Sequence, residues 1–168
     1  MVFLPTWYVF INMETENKSY EQLDQEGKTF FKGFCAASPW CKFERISKPE
    51  SRWDISYLYC EDTLAIGEIK MRNYSSTAFP DWIIEEDKVV ALKEILEKTK
   101  KNTTKEIQIH YINIFNDNNV AIWDITNIIA TYNNEQHKAN YCGNQYQKEK
   151  WVTYLPITDA IKFTKNEK

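Results

Sequence analysis

Asp54 stands at the head of an alternating run, Asp54 to Tyr59, and fourteen residues after it comes Glu68-Ile69-Lys70, at the end of a second run that is nearly all apolar from Leu64 onward. Successive side chains of a strand point to opposite faces, so Glu68 and Lys70 project from the same side. If the two runs pair through a turn at Glu61-Asp62, Asp54 lies beside Glu68 at the far end of the hairpin. Two carboxylates and an ammonium then converge. Such a set suits hydrolysis of a phosphodiester. Magnesium takes hard oxygen ligands and keeps several waters, and Asp54, Glu68 and the backbone carbonyl of Ile69 are the oxygens available to Mg²⁺ or Mn²⁺. Lys70 would orient or deprotonate a metal-bound water and offset charge growing on the phosphate. Beside two carboxylates its ammonium keeps its proton until the ion arrives. Each residue alone reads more simply as structural. The three in this order favour a site, because buried strands seldom carry charge without a use.

The elements that must position these residues are legible from spacing. Ser19 to Ala37 reads as a helix: Ser19 caps it, Gln22 completes a capping box, and Leu23, Gly27, Phe30 and Phe34 form an apolar stripe before Ser38-Pro39 ends it. Lys42–Ile46, Asp54–Tyr59 and Leu64–Met71 read as strands, the last buried on both faces. A second helix is expected over Asp81–Lys100, with Val89, Leu92, Ile95 and Leu96 inward. Ile107–Phe115 and Val120–Ile125 form a hairpin about Asp117-Asn118-Asn119, Trp151–Leu155 a last strand, and Thr158–Phe163 a short helix. The expected fold is α/β, a mixed central sheet flanked by helices, in a single domain over 1–168 with its core at about 19–125.

Bulk composition narrows the classes. The chain has 168 residues, 43% of them hydrophobic and 15% aromatic, enough for a real core, while four glycines and five prolines argue against a repeat or fibrous protein. A net charge of −3 provides no overall attraction to nucleic acid, so a polyanion must meet a local basic surface. Cys35, Cys41, Cys60 and Cys142 show neither CxxC zinc pairs nor a disulfide framework, which points to a reducing, cytoplasmic setting. The apolar opening, Met1–Ile11, is short, lacks a basic flank and contains Pro5; no membrane span is expected, and residues 1–12 read as an N-terminal extension. His110 on its strand and His137 in a polar loop read as structural, and the lysines at 98, 100, 101 and 105 as a solvated helix end.

A strand-borne Asp, an ExK closing an apolar strand and helices on both sides together resemble the PD-(D/E)XK nuclease superfamily. The resemblance covers roughly Ser19 to Ile125, with Trp53 where the family often has proline. It implies a restriction-endonuclease-like αβββαβ core and a Mg²⁺- or Mn²⁺-dependent nuclease acting on nucleic acid, DNA ahead of RNA. The oligomeric state stays open, a homodimer included. With no recognition domain, such an enzyme would be structure-selective or partner-directed, of the kind found in phages and mobile elements. The alternative is a catalytically inactive module of the same fold that binds nucleic acid or protein. Family members often add an acid from the first helix. With Leu23 at zero and about 100° per residue, Glu26 falls at about −60° and Glu21 at about 160°, which selects Glu26. The family also places a Gln or Lys on the second helix, a supporting role that falls to Lys88; Arg72, on the face of Lys70, is the expected phosphate contact.

Overall fold

The computed structural model describes residues 18–132, 136–139 and 148–164. The readings on residues 1–12, on the His137 side chain and on Cys142 lie outside the described residues. Helix α1 (Tyr20–Ala37) begins at the expected capping box: the Ser19 hydroxyl accepts from the Gln22 amide at 3.2 Å, and the Gln22 side chain accepts from the Ser19 amide at 2.8 Å. Its buried residues are Gly27, Lys28, Phe31 and Cys35. On the wheel used above these fall at about 40°, 140°, 80° and 120°. The inner face is therefore centred roughly 90° away from the expected stripe. Phe30 and Phe34 pack at its margin, the latter edge-on to Trp40 at 5.7 Å.

Strands β1 (Cys41–Ile46), β2 (Ile55–Tyr59) and β3 (Thr63–Arg72) form an antiparallel meander. After β4 (Asp81–Glu85), helix α2 (Glu86–Lys100) carries the chain over the sheet so that β5 (Glu106–Phe115) pairs parallel with β3 along its whole length. Strand β6 (Val120–Asp124) returns antiparallel, and β9 (Lys162–Thr164) closes a sheet of order β1-β2-β3-β5-β6-β9. Strands β7 (Gln136–Ala139) and β8 (Lys148–Pro156) complete a smaller sheet of order β4-β8-β7. One core layer sets Phe31 and Cys35 of α1 against Ile55, Tyr57, Ala65, Ile69 and Ile112. The other sets Val89, Leu92 and Leu96 of α2, with Trp82 and Ile84, against Ile66, Ile109, Tyr111 and Phe115. Cover on both faces explains why β3 and β5 are almost continuously apolar.

Three expectations need correction. The helix expected over Asp81–Lys100 is divided: Asp81–Glu85 is a strand, because Trp82 and Ile84 alternate inward with period two and pair with β8, and the helix starts where Glu86 and Asp87 suit its positive end. The helix expected over Thr158–Phe163 is a 3₁₀ turn, Ile157–Asp159, followed by β9; the Ile161 amide bonds to the Ile122 carbonyl at 2.8 Å and draws the chain onto the free edge of β6. The cysteines are not all unbridged. The tight turn at Ser38–Trp40 brings Cys35 of α1 and Cys41 of β1 to a Cα separation of 4.9 Å, and they form a disulfide, while Cys60 is free and exposed. Among the described residues no helix is long and apolar enough to cross a membrane.

Gly67 sits at the centre of β3, directly before Glu68. A Cβ there would lie 2.9 Å from Cδ1 of Ile112 and 3.1 Å from Cγ1 of Ile55, so glycine leaves the room that these two side chains fill. Gly67→Val should therefore cost about 1–3 kcal/mol by overpacking, read as a lower urea midpoint. An unchanged midpoint would show that Ile112 and Ile55 give way freely.

Candidate active site

The pairing of β2 with β3 ends at Ile55 opposite Gly67, and Asp54 is the first residue beyond it. Its amide still donates to the Gly67 carbonyl at 2.9 Å, so Asp54 faces Glu68. Here β2 leaves the sheet, and the Asp54 side chain supplies the acceptor that the departing backbone does not: Oδ2 takes the Ile69 amide at 2.7 Å. The second oxygen, Oδ1, lies 3.3 Å from Nζ of Lys28, which also bonds Asp24 at 2.7 Å. Across the same strand end, Glu68 pairs through Oε1 with Nζ of Lys88 at 2.9 Å. The Ile69 carbonyl, the third ligand expected from the sequence, lies on the backbone between Glu68 and Lys70.

The electrostatics follow from burial and like charge. Glu68 is pushed up to about 7, first by burial and then by the negative charge of Asp54, with Lys88 and Lys70 opposing. Asp54 is raised for the first of these reasons, burial, although the Ile69 amide and Lys28 hold it down. The Lys70 ammonium is lowered by desolvation and by Arg72 beside it, with Glu85 and Glu68 pulling the other way, although much of the side chain is exposed. Burial acts to lower Lys28, but Asp24 and Asp54 keep it above the ordinary lysine value.

The structure thus gathers Asp54, Glu68, Lys70 and Lys88 at one end of the sheet. Glu26 lies elsewhere, on the flank of α1, paired with Lys18 at 2.9 Å. The α1 acid that acts on Asp54 is Asp24, at about 100° on the same wheel and so at the centre of the true inner face. Arg72 turns under β4: its Nη2 donates to the Ile83 carbonyl and to the Tyr111 hydroxyl, each at 3.1 Å, and its guanidinium stacks 5.4 Å from the Trp82 ring centre. It fastens β4 to the sheet.

Two residues at the site escape sequence reasoning. Lys28 carries only the weak signal of an i,i+4 pair with Asp24. Asn113 stands in register with Lys70, is fully buried, and has no hydrogen-bond partner for either polar atom of its amide. It shares its face of β5 with Tyr111 and Phe115, and its one signal is a lone amide in the run Ile109–Phe115. His110, by contrast, is structural as read: buried, bonded to the Tyr57 hydroxyl and to Gln108, and lowered by burial to about 4.

The donor chemistry fits a hard divalent ion. Two carboxylates crowd together with one protonation pushed up by the other, the condition a cation relieves. Among the described residues no group of three or more His, Cys, Asp or Glu is placed to hold a metal ion. No protein-family model matches the chain, and no curated protein sequence is detectably similar to it.

Between about 4.5 and about 7 the metal-free folded chain keeps a proton on Glu68 that the unfolded chain has released. Stability falls with pH wherever the folded state binds more protons, so this residue's contribution declines across that window and levels above it. Glu68→Gln still accepts from Lys88 but does not ionise. Its stability relative to wild type, from urea unfolding at stepped pH, should rise from pH 4.5 to 7 and then flatten. A difference that stays constant with pH would show that Glu68 titrates normally.

Proposed function

We propose that this chain is a divalent-metal-dependent nuclease of the PD-(D/E)XK kind, hydrolysing phosphodiester bonds in nucleic acid, DNA ahead of RNA. The observation that carries the reading is the meeting of Asp54 and Glu68 where β2 leaves β3, with Lys70 on the face of Glu68. The element order supports it: with β4 set aside, α1, an antiparallel β1-β2-β3 meander, α2, then β5 parallel to β3 run in the αβββαβ order expected of such a core.

In this reading Asp54, Glu68 and the Ile69 carbonyl would hold Mg²⁺ or Mn²⁺. When bound, the ion supplies a more acidic water and neutralises phosphate charge. The protein's own contribution is positional and electrostatic. The Ile69 amide fixes Asp54, leaving Oδ1 as its adaptable oxygen. Lys88 holds Glu68 and neutralises it until a stronger cation does so. Lys70, on the face of Glu68, is placed to orient a water and to offset charge growing on the phosphate oxygens. Arg72 acts at one remove, by seating β4 over the site. The cytoplasm suits such a substrate, whereas a bridge such as Cys35–Cys41 is more usual in an oxidising compartment.

A second reading is a non-catalytic module of the same fold. It is favoured by one observation: Asp54 and Glu68 each already face a lysine, so the cluster is charge-balanced without an ion.

Cleavage of single-stranded, duplex and branched DNA and of RNA in Mg²⁺ or Mn²⁺ separates the two. Asp54→Ala and Lys70→Ala should each lower cleavage by ~10²–10⁴-fold or more. Asp54→Ala should also weaken metal binding, whereas Lys70→Ala, which removes a positive charge, should leave it intact or tighten it. Wild-type protein that binds no divalent ion and cuts none of these substrates would favour the inactive module.

A further inference from the structure

A lysine at 4% exposure is rare unless it is paired, and Lys28 occupies a position on the inner face of α1 between Gly27 and Phe31 that an apolar side chain could fill. Its burial must therefore be offset by what its ammonium does. Nζ bridges two acids of unequal character. Asp24, one turn earlier on the same helix, is 43% exposed at its side chain and 2.7 Å away; Asp54 is 13% exposed, with Oδ1 3.3 Å away. The other oxygen of Asp54 is committed to the Ile69 amide. Lys28 thus occupies the one oxygen of Asp54 that the backbone leaves open, so a cation approaching that oxygen must compete with it.

We propose that Lys28 is a resident cation of the site: it occupies Oδ1 of Asp54 in the absence of a divalent ion and withdraws onto Asp24 when one takes that oxygen. The inference rests on the nuclease reading of the site. A lysine suits the role because its charge is a point on a flexible stem, able to shift between acceptors without the planar constraint of arginine. Asp24 is the acceptor that makes withdrawal inexpensive, since a buried ammonium left without a partner would be strongly unfavourable.

Opposite signs follow for the two residues. Removing Lys28 removes a competitor, so Lys28→Gln should bind Mn²⁺ about tenfold or more tightly than wild type. Asp24→Asn removes the retreat, keeps Lys28 on Asp54, and should weaken Mn²⁺ binding severalfold. If Asp24 acts only through Lys28, the double variant should bind as Lys28→Gln does; such non-additivity is the signature of one shared interaction.

The experiment is calorimetric titration of Mn²⁺ into the full chain, with thermal melts confirming that each variant is folded. Lys28→Gln binding no more tightly than wild type overturns the proposal while leaving the nuclease reading in place. A double variant weaker than Lys28→Gln by the full Asp24→Asn factor also overturns it, because Asp24 would then be a ligand in its own right. Should Lys28→Gln fail to fold, exposed Asp24→Asn decides alone: binding equal to or tighter than wild type overturns the proposal. Wild type and Lys28→Gln both failing to take up Mn²⁺ would remove the nuclease reading, and this inference with it.

Discussion

The hydrogen bond from the Ile69 amide to Oδ2 of Asp54 is the constraint from which the rest of the site follows. It forms because β2 parts from β3 at this residue, leaving an inward amide without a strand partner. A carboxylate accepting a backbone N–H is held more strongly than a neutral acceptor would be. The bond seats a charged group one residue from Glu68 in a part of the sheet covered on both faces. Burial and like charge then raise Glu68, and cations from both helices are drawn in to compensate: Lys28 from α1 and Lys88 from α2. Gly67 leaves the room that the Ile55 and Ile112 side chains fill beside it.

The charges around this point alternate. Asp24, Lys28 and Asp54 form one chain, Glu68 and Lys88 another, and Lys150 pairs with Glu85 beside Lys70. Ion pairs of this kind are poor contributors to stability, because desolvation offsets most of the attraction.

Much of this was legible in the sequence, and the failures have physical causes. Period-two and period-3.6 patterns located α1, the meander, β5 and β6, and the placement of Asp54 opposite Glu68 followed from strand alternation and a single turn. The α1 acid was misassigned because Leu23, Phe30 and Phe34 looked like the centre of the apolar face. They border it, while the centre holds Phe31 flanked by a glycine, a lysine and a cysteine, three residues that give a hydrophobicity count little weight. Strand β4 was absorbed into α2 because Trp82-Ile83-Ile84 is apolar without a break and the helix follows at once. The roles of Lys28 and Asn113 depend on contacts across elements and left almost no local trace. The disulfide escaped because six residues of separation say nothing until the turn between them is known.

The most direct test of the account is the location of a bound ion. Crystals grown with Mn²⁺ should show an anomalous peak bonded at about 2.0–2.6 Å, the range of magnesium and calcium oxygen contacts, to carboxylate oxygens of both Asp54 and Glu68. Such a peak is the predicted result. Lys28 and Lys88 still paired to an Asp54–Glu68 site without anomalous density at saturating Mn²⁺, or a peak bound only to other residues, would contradict it.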